Sequence, residues 1–218
     1  MPSDAQAELV RVEREGQTDY DVYLPSSYTE HDEAGKKWPV LVAFHWSTGR
    51  STSMLKLWEK AAERYGVILA LPNSRYRRKW IRSDGTDADD MIARIKTSYA
   101  VDDKRIYATG FSAGANFAYR MMVTRPGLFR GVGPFGGRFQ HKRGELERLD
   151  PNRTRMCIFH GRQDKTIKYK YAVRAADTLA RAGFKVRTRT YNQGHWLRRD
   201  YAETMWNCLD QPSEQNDT

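Results

Sequence analysis

Residues 104–120, KRIYATGFSAGANFAYR, constrain this chain more than any other stretch. Residues 105–109 alternate and are β-branched enough to predict a short buried strand. Gly110-Phe111-Ser112-Ala113-Gly114 then turns the chain, and residues 115–122 continue in helical rhythm. A strand, G-x-S-x-G and a helix in succession predict a strained turn that exposes a serine Oγ at the carboxyl edge of a sheet. Both glycines are needed there, because a Cβ at either position would meet the neighbouring strand or helix. Ser112 is therefore the candidate nucleophile, against the plainer reading of a solvated serine in a glycine-rich turn. A serine nucleophile needs a base, an acid to orient that base and donors for an oxyanion, and the rest of the chain must supply them.

The flanking segments predict where those groups can stand. Residues 9–13 (LVRVE) and Tyr20–Leu24 (YDVYL) alternate around Glu15-Gly16 as an antiparallel hairpin at one sheet edge. Residues 39–44 (PVLVAF) form a continuous apolar run, expected of a strand covered on both faces. A helix is expected over 53–65, a strand over 67–71, an irregular basic loop over 73–85 and a helix over 87–99. After the elbow come expected strands at 129–135 and 156–159, with a polar excursion over 140–152 between them and no apolar insertion that could form a lid. A helix over 169–182, a strand over 184–191 and a helix to about Cys208 complete one α/β domain over 1–210, with a polar tail at 211–218. The expected fold is α/β: a doubly wound, mostly parallel sheet with an N-terminal antiparallel hairpin and no large lid.

In such a sheet the reactive groups gather where strands end. Asp164, in His160-Gly161-Arg162-Gln163-Asp164, follows one strand after the elbow, and His195, in Gln193-Gly194-His195-Trp196, follows the last. The order Ser…Asp…His fits this architecture. His31 and His141 sit in polar loops, while His45 and His160 end strands and read as structural hydrogen-bonding groups. Asp102 and Asp103 precede the elbow strand, and Asp87, Asp89 and Asp90 suit a helix start. His195 is thus the expected base and Asp164 its orienting acid. For the oxyanion, the backbone N–H of Ala113 is one expected donor, and Ser47 or, next, Trp46 supplies the other.

Composition narrows the remaining classes. With 218 residues, 39% hydrophobic and 12% aromatic, the chain can bury a full core, although a mean hydropathy of -0.78 marks a very polar surface. No run is long and apolar enough to cross a membrane. The first residues, MPSDAQAELVRVERE, lack the features of a signal peptide, so the chain reads as cytoplasmic, or as secreted if a leader has been removed. Thirty-seven Lys and Arg against 27 Asp and Glu give a net charge of +10, but no nucleic-acid-binding motif accompanies it. Two cysteines suit neither a metal site nor a disulfide framework; Cys157, in an apolar run, reads as a buried free thiol, with pairing to Cys208 left open.

Gly110-Phe111-Ser112-Ala113-Gly114, His160-Gly161-x-x-Asp164 and Gly194-His195-Trp196 together resemble the α/β-hydrolase superfamily. Within it they resemble the single-domain esterase branch of feruloyl esterases, polyhydroxybutyrate depolymerases and dienelactone hydrolase-like proteins. The likeness runs from about Tyr20 to Cys208 and includes Val101-Asp102-x-x-Arg105-Ile106-Tyr107 and Arg125-Pro126-x-x-Phe129. It implies Ser112, Asp164 and His195 as a triad, with no metal or organic cofactor. The chain departs from the branch at His45-Trp46, where His-Gly is usual, so the oxyanion loop is expected to be shaped differently.

The expected function is hydrolysis of carboxylic esters with small or aromatic acyl groups, acting on a small-molecule substrate without nucleic acid or membrane. Tyr76, Trp80 and Trp196 are expected on the substrate face, with His45, Phe111 and the basic loop of Arg75, Arg77, Arg78 and Lys79 beside them. That loop suggests esters with an aromatic or anionic portion. A thioesterase or peptidase would use the same parts, and an inert fold binding an anionic partner is the reading from a different class.

Overall fold

The side chains of β3 (Trp38–Phe44), which is buried along its whole length, alternate between two cores. Val40, Val42 and Phe44 join one cluster with Met91, Ile95, Phe117 and Met121. Leu41 and Ala43 join the other with Met54, Trp58, Met205 and Trp206. The two-residue period of a strand produces this division, and it requires helices on both sides of the sheet. The computed structural model describes residues 6–29, 35–198 and 200–210. The expected tail at 211–218 and His31 lie outside the described residues.

Eight strands form one sheet in the order β1-β2-β4-β3-β5-β6-β7-β8. β1 (Glu8–Val12) and β2 (Tyr20–Leu24) pair antiparallel, and β2 pairs antiparallel with β4 (Ile68–Pro72). The pairings from β4 through β3, β5 (Val101–Phe111), β6 (Gly131–Phe135), β7 (Arg155–Gly161) and β8 (Val186–Tyr191) are all parallel. Helices α1 (Ser51–Tyr65) and α5 (Asp200–Leu209) cover one face. Helices α2 (Arg82–Ser98), α3 (Ala113–Thr124) and α4 (Lys170–Arg181) cover the other. This is the expected α/β-hydrolase arrangement, hairpin included.

Register brings the strand ends together. Phe44 lies opposite Gly110, Phe111 opposite Phe135, Phe135 opposite Phe159 and Gly161 opposite Tyr191. The loops after β3, β5, β6, β7 and β8 therefore open at one edge of the sheet, where such folds build their sites.

Three expectations change. β5 spans 11 residues, far longer than 105–109, because it pairs with β3 on one side and β6 on the other. Helix α2 begins at Arg82, five residues before the expected Asp87. The buried Asp84 carboxylate causes this, accepting the N–H groups of Ile81 (2.6 Å) and Arg75 (2.8 Å) at the helix start. Cys157 is fully buried but not free: it is disulfide-bonded to Cys208, with the two Cα atoms 6.1 Å apart. The bond follows from packing, since Cys157 faces the core in which Trp206 and Leu209 of α5 sit. Among the described residues, no helix is long and apolar enough to cross a membrane.

Candidate active site

Ser112 stands between β5 and α3 with φ 56° and ψ −115°, a left-handed conformation rare for a non-glycine residue. Its N–H donates to Phe135 O at 3.0 Å, and its carbonyl accepts from Asn116 N at 3.0 Å. A Cβ on Gly114 would fall 2.6 Å from His45 O and closer still to Phe44 O, and one on Gly110 would fall 2.9 Å from Ala115 N. The bend thus presses α3 against the end of β3, leaving the serine half-buried at the sheet edge.

Two later loops converge on it. His195 Nε2 lies 2.9 Å from Ser112 Oγ, and His195 Nδ1 lies 2.6 Å from Asp164 Oδ2. A carboxylate oxygen only accepts, so the proton sits on Nδ1 and Nε2 is left to accept from the serine hydroxyl. Asp164 is buried, and its Oδ1 accepts the N–H groups of Thr166 (2.9 Å) and Ile167 (2.8 Å). Gly161 lets the loops meet, since a Cβ there would lie 2.5 Å from the carbonyls of Gln193 and Gly194.

A second histidine, His160, supports the acid. It is 1% exposed, its Nε2–H donates to Ile167 O at 2.7 Å, and the same nitrogen stands 3.4 Å from Asp164 Oδ2. Burial pushes its pKa down, so it is held neutral. This is the structural hydrogen bond expected of a strand-ending histidine.

Opposite the serine lies the loop after β3. Thr48 N–H donates to Arg77 O at 2.6 Å and Gly49 N–H to Trp46 O at 2.9 Å, whereas the N–H groups of Trp46, Ser47 and Ala113 have no acceptor among the described residues. Ala113 is the first residue of α3, where a helix leaves its N–H unused. The set of a positioned hydroxyl, an oriented imidazole and free N–H groups can attack a carbonyl carbon and hold the charge that forms on its oxygen. Among the described residues no cluster of His, Cys, Asp and Glu could hold a metal ion.

The phospholipase/carboxylesterase family matches residues 67–210 of the 218, more than half of the chain. The chain belongs to that family. It lies in the esterase branch of the α/β-hydrolases. "Probable feruloyl esterase C" of Aspergillus flavus is 27% identical over 130 residues, which cover 55% of this chain and 46% of that protein. "Acetylxylan esterase A" of Aspergillus ficuum is 26% identical over 122 residues, 50% of this chain and 38% of its own. The chain spans less than half the length of these curated relatives. Among solved structures, acetyl xylan esterase from Aspergillus awamori superposes with a TM-score of 0.70 at 16% identity, covering 92% of this chain and 99% of the other. A ferulic acid esterase from Anaeromyces mucronatus, solved with ferulic acid, gives 0.70 at 15% identity, covering 96% and 94%.

In this phospholipase/carboxylesterase relative, not every residue expected on the substrate face lies there. His45 is buried, with Nδ1–H donating to Trp46 O at 2.7 Å and Nε2 accepting from Ser74 N at 3.1 Å. Both ring nitrogens are spent on loop structure, which corrects the expected substrate contact. Arg75 turns away as well: its guanidinium meets Asp87 Oδ2 at 3.0 Å and Gly16 O at 3.1 Å. Phe111 packs beneath His195, ring to ring at 4.7 Å, and contacts Trp46 at 5.9 Å. Tyr76 and Trp196 are exposed, at 54% and 48%.

Trp80 has two attachments. Its Nε1–H donates to His45 O at 2.9 Å and its ring stacks on Phe117 at 4.8 Å, so it anchors the loop to the core. It also lines a cleft of about 760 Å³ that starts at Ala113 and includes Arg78, Lys79, Arg82, Arg120 and Arg125. The sequence reading missed Arg82, Arg120 and Arg125. Arg82 was within reach, since an acid at position 84, three residues past Ile81, is a helix-start signal that moves Arg82 onto the helix. Arg120 and Arg125 come from α3 and the turn after it, and nothing local marks them as cleft residues.

Proposed function

We propose that this chain is a serine hydrolase that cleaves carboxylic esters of small or aromatic acyl groups through an acyl-enzyme. The observation that supports this most directly is the chain of contacts from Asp164 Oδ2 through His195 to Ser112 Oγ, at 2.6 and 2.9 Å. Ser112 Oγ attacks the ester carbonyl carbon as its proton passes to His195 Nε2. The resulting oxyanion is held by Ala113 N–H and by Ser47 or Trp46 N–H. Collapse breaks the bond to the alcohol oxygen, which leaves with the proton from Nε2. Water then repeats the sequence on the acyl-enzyme, releasing the acid and restoring the serine. Asp164 holds the Nδ1–H tautomer and stabilises the transient imidazolium.

Small or aromatic acyl groups suit the aromatic surroundings of the serine, where Phe111, Trp46 and Phe135 stand close together. The fungal relatives named for feruloyl and acetylxylan esterase activity favour the same substrate class. The Cys157–Cys208 bond supports a compartment in which disulfides persist, which favours the secreted alternative over the cytoplasmic expectation drawn from the first residues.

A panel of acetyl, butyryl and feruloyl esters, with the matched thioesters and amides, tests the reading on the wild type and Ser112→Ala. Hydrolysis of the esters in the wild type and its loss in the variant is the expected result. A fluorophosphonate adduct on the wild type, absent from Ser112→Ala by intact mass, identifies the nucleophile. Ester turnover unchanged in Ser112→Ala would overturn the assignment.

A further inference from the structure

We propose that the cleft beside Ser112 is a binding site for a carboxylate carried by the substrate, held by Arg78, Lys79 and Arg82; this rests on the ester-hydrolase reading above. Five basic side chains line the cleft and no acidic one does. Two of the five are neutralised from behind. Arg120 meets Glu145 at 2.8 Å and Arg125 meets Asp89 at 2.6 Å. Arg78, Lys79 and Arg82 are exposed and have no acidic partner among the described residues. Solvated surface charge is the usual reading of such residues, and Arg77, exposed on the same loop and outside the cleft, fits it. Arg78, Lys79 and Arg82 differ in lining one cleft that holds no acidic group, whereas Arg75 is paired with Asp87 and lies outside it.

The backbone that carries Arg78 and Lys79 is also held in place. Arg78 O accepts from Ser47 Oγ at 3.0 Å and Arg77 O from Thr48 N at 2.6 Å, while Trp80 ties the end of the loop to His45 O. Lys79 sits over the Tyr76 ring at 5.3 Å. The basic loop is thus fastened to the loop that faces the serine, and Arg82 begins a helix capped by Asp84. Trp80, Phe117 and Met121 give the cleft an apolar floor. An apolar floor rimmed by cations of one sign focuses the field on a bound anion. The ligand chemistry that fits is a flat or extended apolar body bearing a carboxylate, and the cleft reaches Ala113, the residue next to Ser112.

The test compares matched esters on the wild type and on a variant with Arg78→Glu, Lys79→Glu and Arg82→Glu. para-Acetoxybenzoate against para-acetoxybenzamide places the carboxylate on the alcohol part. para-Nitrophenyl hydrogen succinate against para-nitrophenyl butyrate places it on the acyl part. The wild type is expected to prefer the anionic member of one pair by about ten-fold in kcat/KM, chiefly through KM, and the pair that shows it identifies the side. The variant is expected to lose that preference, its kcat/KM on the anionic ester falling about ten-fold more than on the neutral partner. Raising salt to about 0.5 M should erase the preference in the wild type, which tests the site even if the variant fails to fold. No anionic preference in either pair, or a preference that survives charge reversal and salt, would overturn the proposal. Should the wild type cleave no ester, the hydrolase reading falls separately. Calorimetric binding of para-acetamidobenzoate against para-acetamidobenzamide then decides the anion site: salt-sensitive binding of the acid alone supports it, and equal binding of the two overturns it.

Discussion

The ring of Phe111 lies 4.7 Å from the imidazole of His195, tilted by 30°, so the residue just before Ser112 supports one face of that imidazole. Phe111 in turn rests on Phe135 at 5.7 Å, at the end of the neighbouring strand. The sheet therefore holds the histidine loop through two aromatic rings as well as through Asp164. Phe111→Ala should lower kcat about 10- to 100-fold with little change in KM, because a base displaced by a fraction of an ångström misses the serine proton. Phe111→Leu should recover most of the loss, since it restores bulk. Steady-state kinetics on both variants, with fluorophosphonate labelling rates as a second reading of serine reactivity, check this.

Ser112 carries backbone strain that a glycine would not. At φ 56° an L-residue is strained whatever its side chain. Ser112→Gly should therefore be more stable than the wild type by about 1 kcal/mol, while Ser112→Ala should not gain the same amount. Both should be inactive. Urea unfolding of the three proteins separates strain from chemistry, and equal midpoints for the glycine and alanine variants would contradict the strain.

Cys157 and Cys208 close a loop across 51 residues and tie β7, which leads to Asp164, to α5, which follows the His195 loop. A bond spanning that distance restricts the unfolded chain, and replacing both cysteines by alanine should cost roughly 2–4 kcal/mol. The loss should show as a lower urea midpoint, with ester turnover retained at low temperature. Cys157 is fully buried and Cys208 half-buried, so a thiol should attack at the Cys208 sulfur, and reduction should accelerate under mild denaturant.

How much of this was legible in the sequence depends on how locally each feature is encoded. The strand-turn-helix around Ser112 is written in neighbouring residues, and chain order alone pointed to Asp164 and His195, whose loops meet at Ser112. The division of β3 between two cores is implicit in its unbroken apolar run. Pairings between distant segments were not legible. Arg75 reads as one of four similar charges until Asp87, on α2, takes it out of the group. The partner of Cys157 depends on how α5 packs over the sheet, and His45 could be placed only once Ser74 and Trp46 had claimed its two nitrogens. The cleft is the extreme case, drawing its cations from a loop, two helices and the turn after α3, whose meeting is a property of the tertiary fold.

Acid sensitivity follows from two buried histidines. Burial lowers the pKa of both His45 and His160 from the ordinary histidine value of 6.5. In the unfolded chain each takes up a proton near pH 6.5, whereas in the fold each resists it. Above that pH both states are neutral and no stability is at stake. Below it the unfolded state binds more protons, so stability falls as pH drops from about 6.5 toward the folded-state values. Thermal unfolding between about pH 8 and pH 5 should give a Tm that is flat at the upper end and declines below about pH 6.5. His45→Gln keeps a side-chain acceptor for Ser74 N–H and has no proton to gain, so its Tm should start lower but decline less steeply. A slope equal to that of the wild type would remove His45 from the account. An unchanged slope in a second variant, His160→Gln, would remove the other histidine.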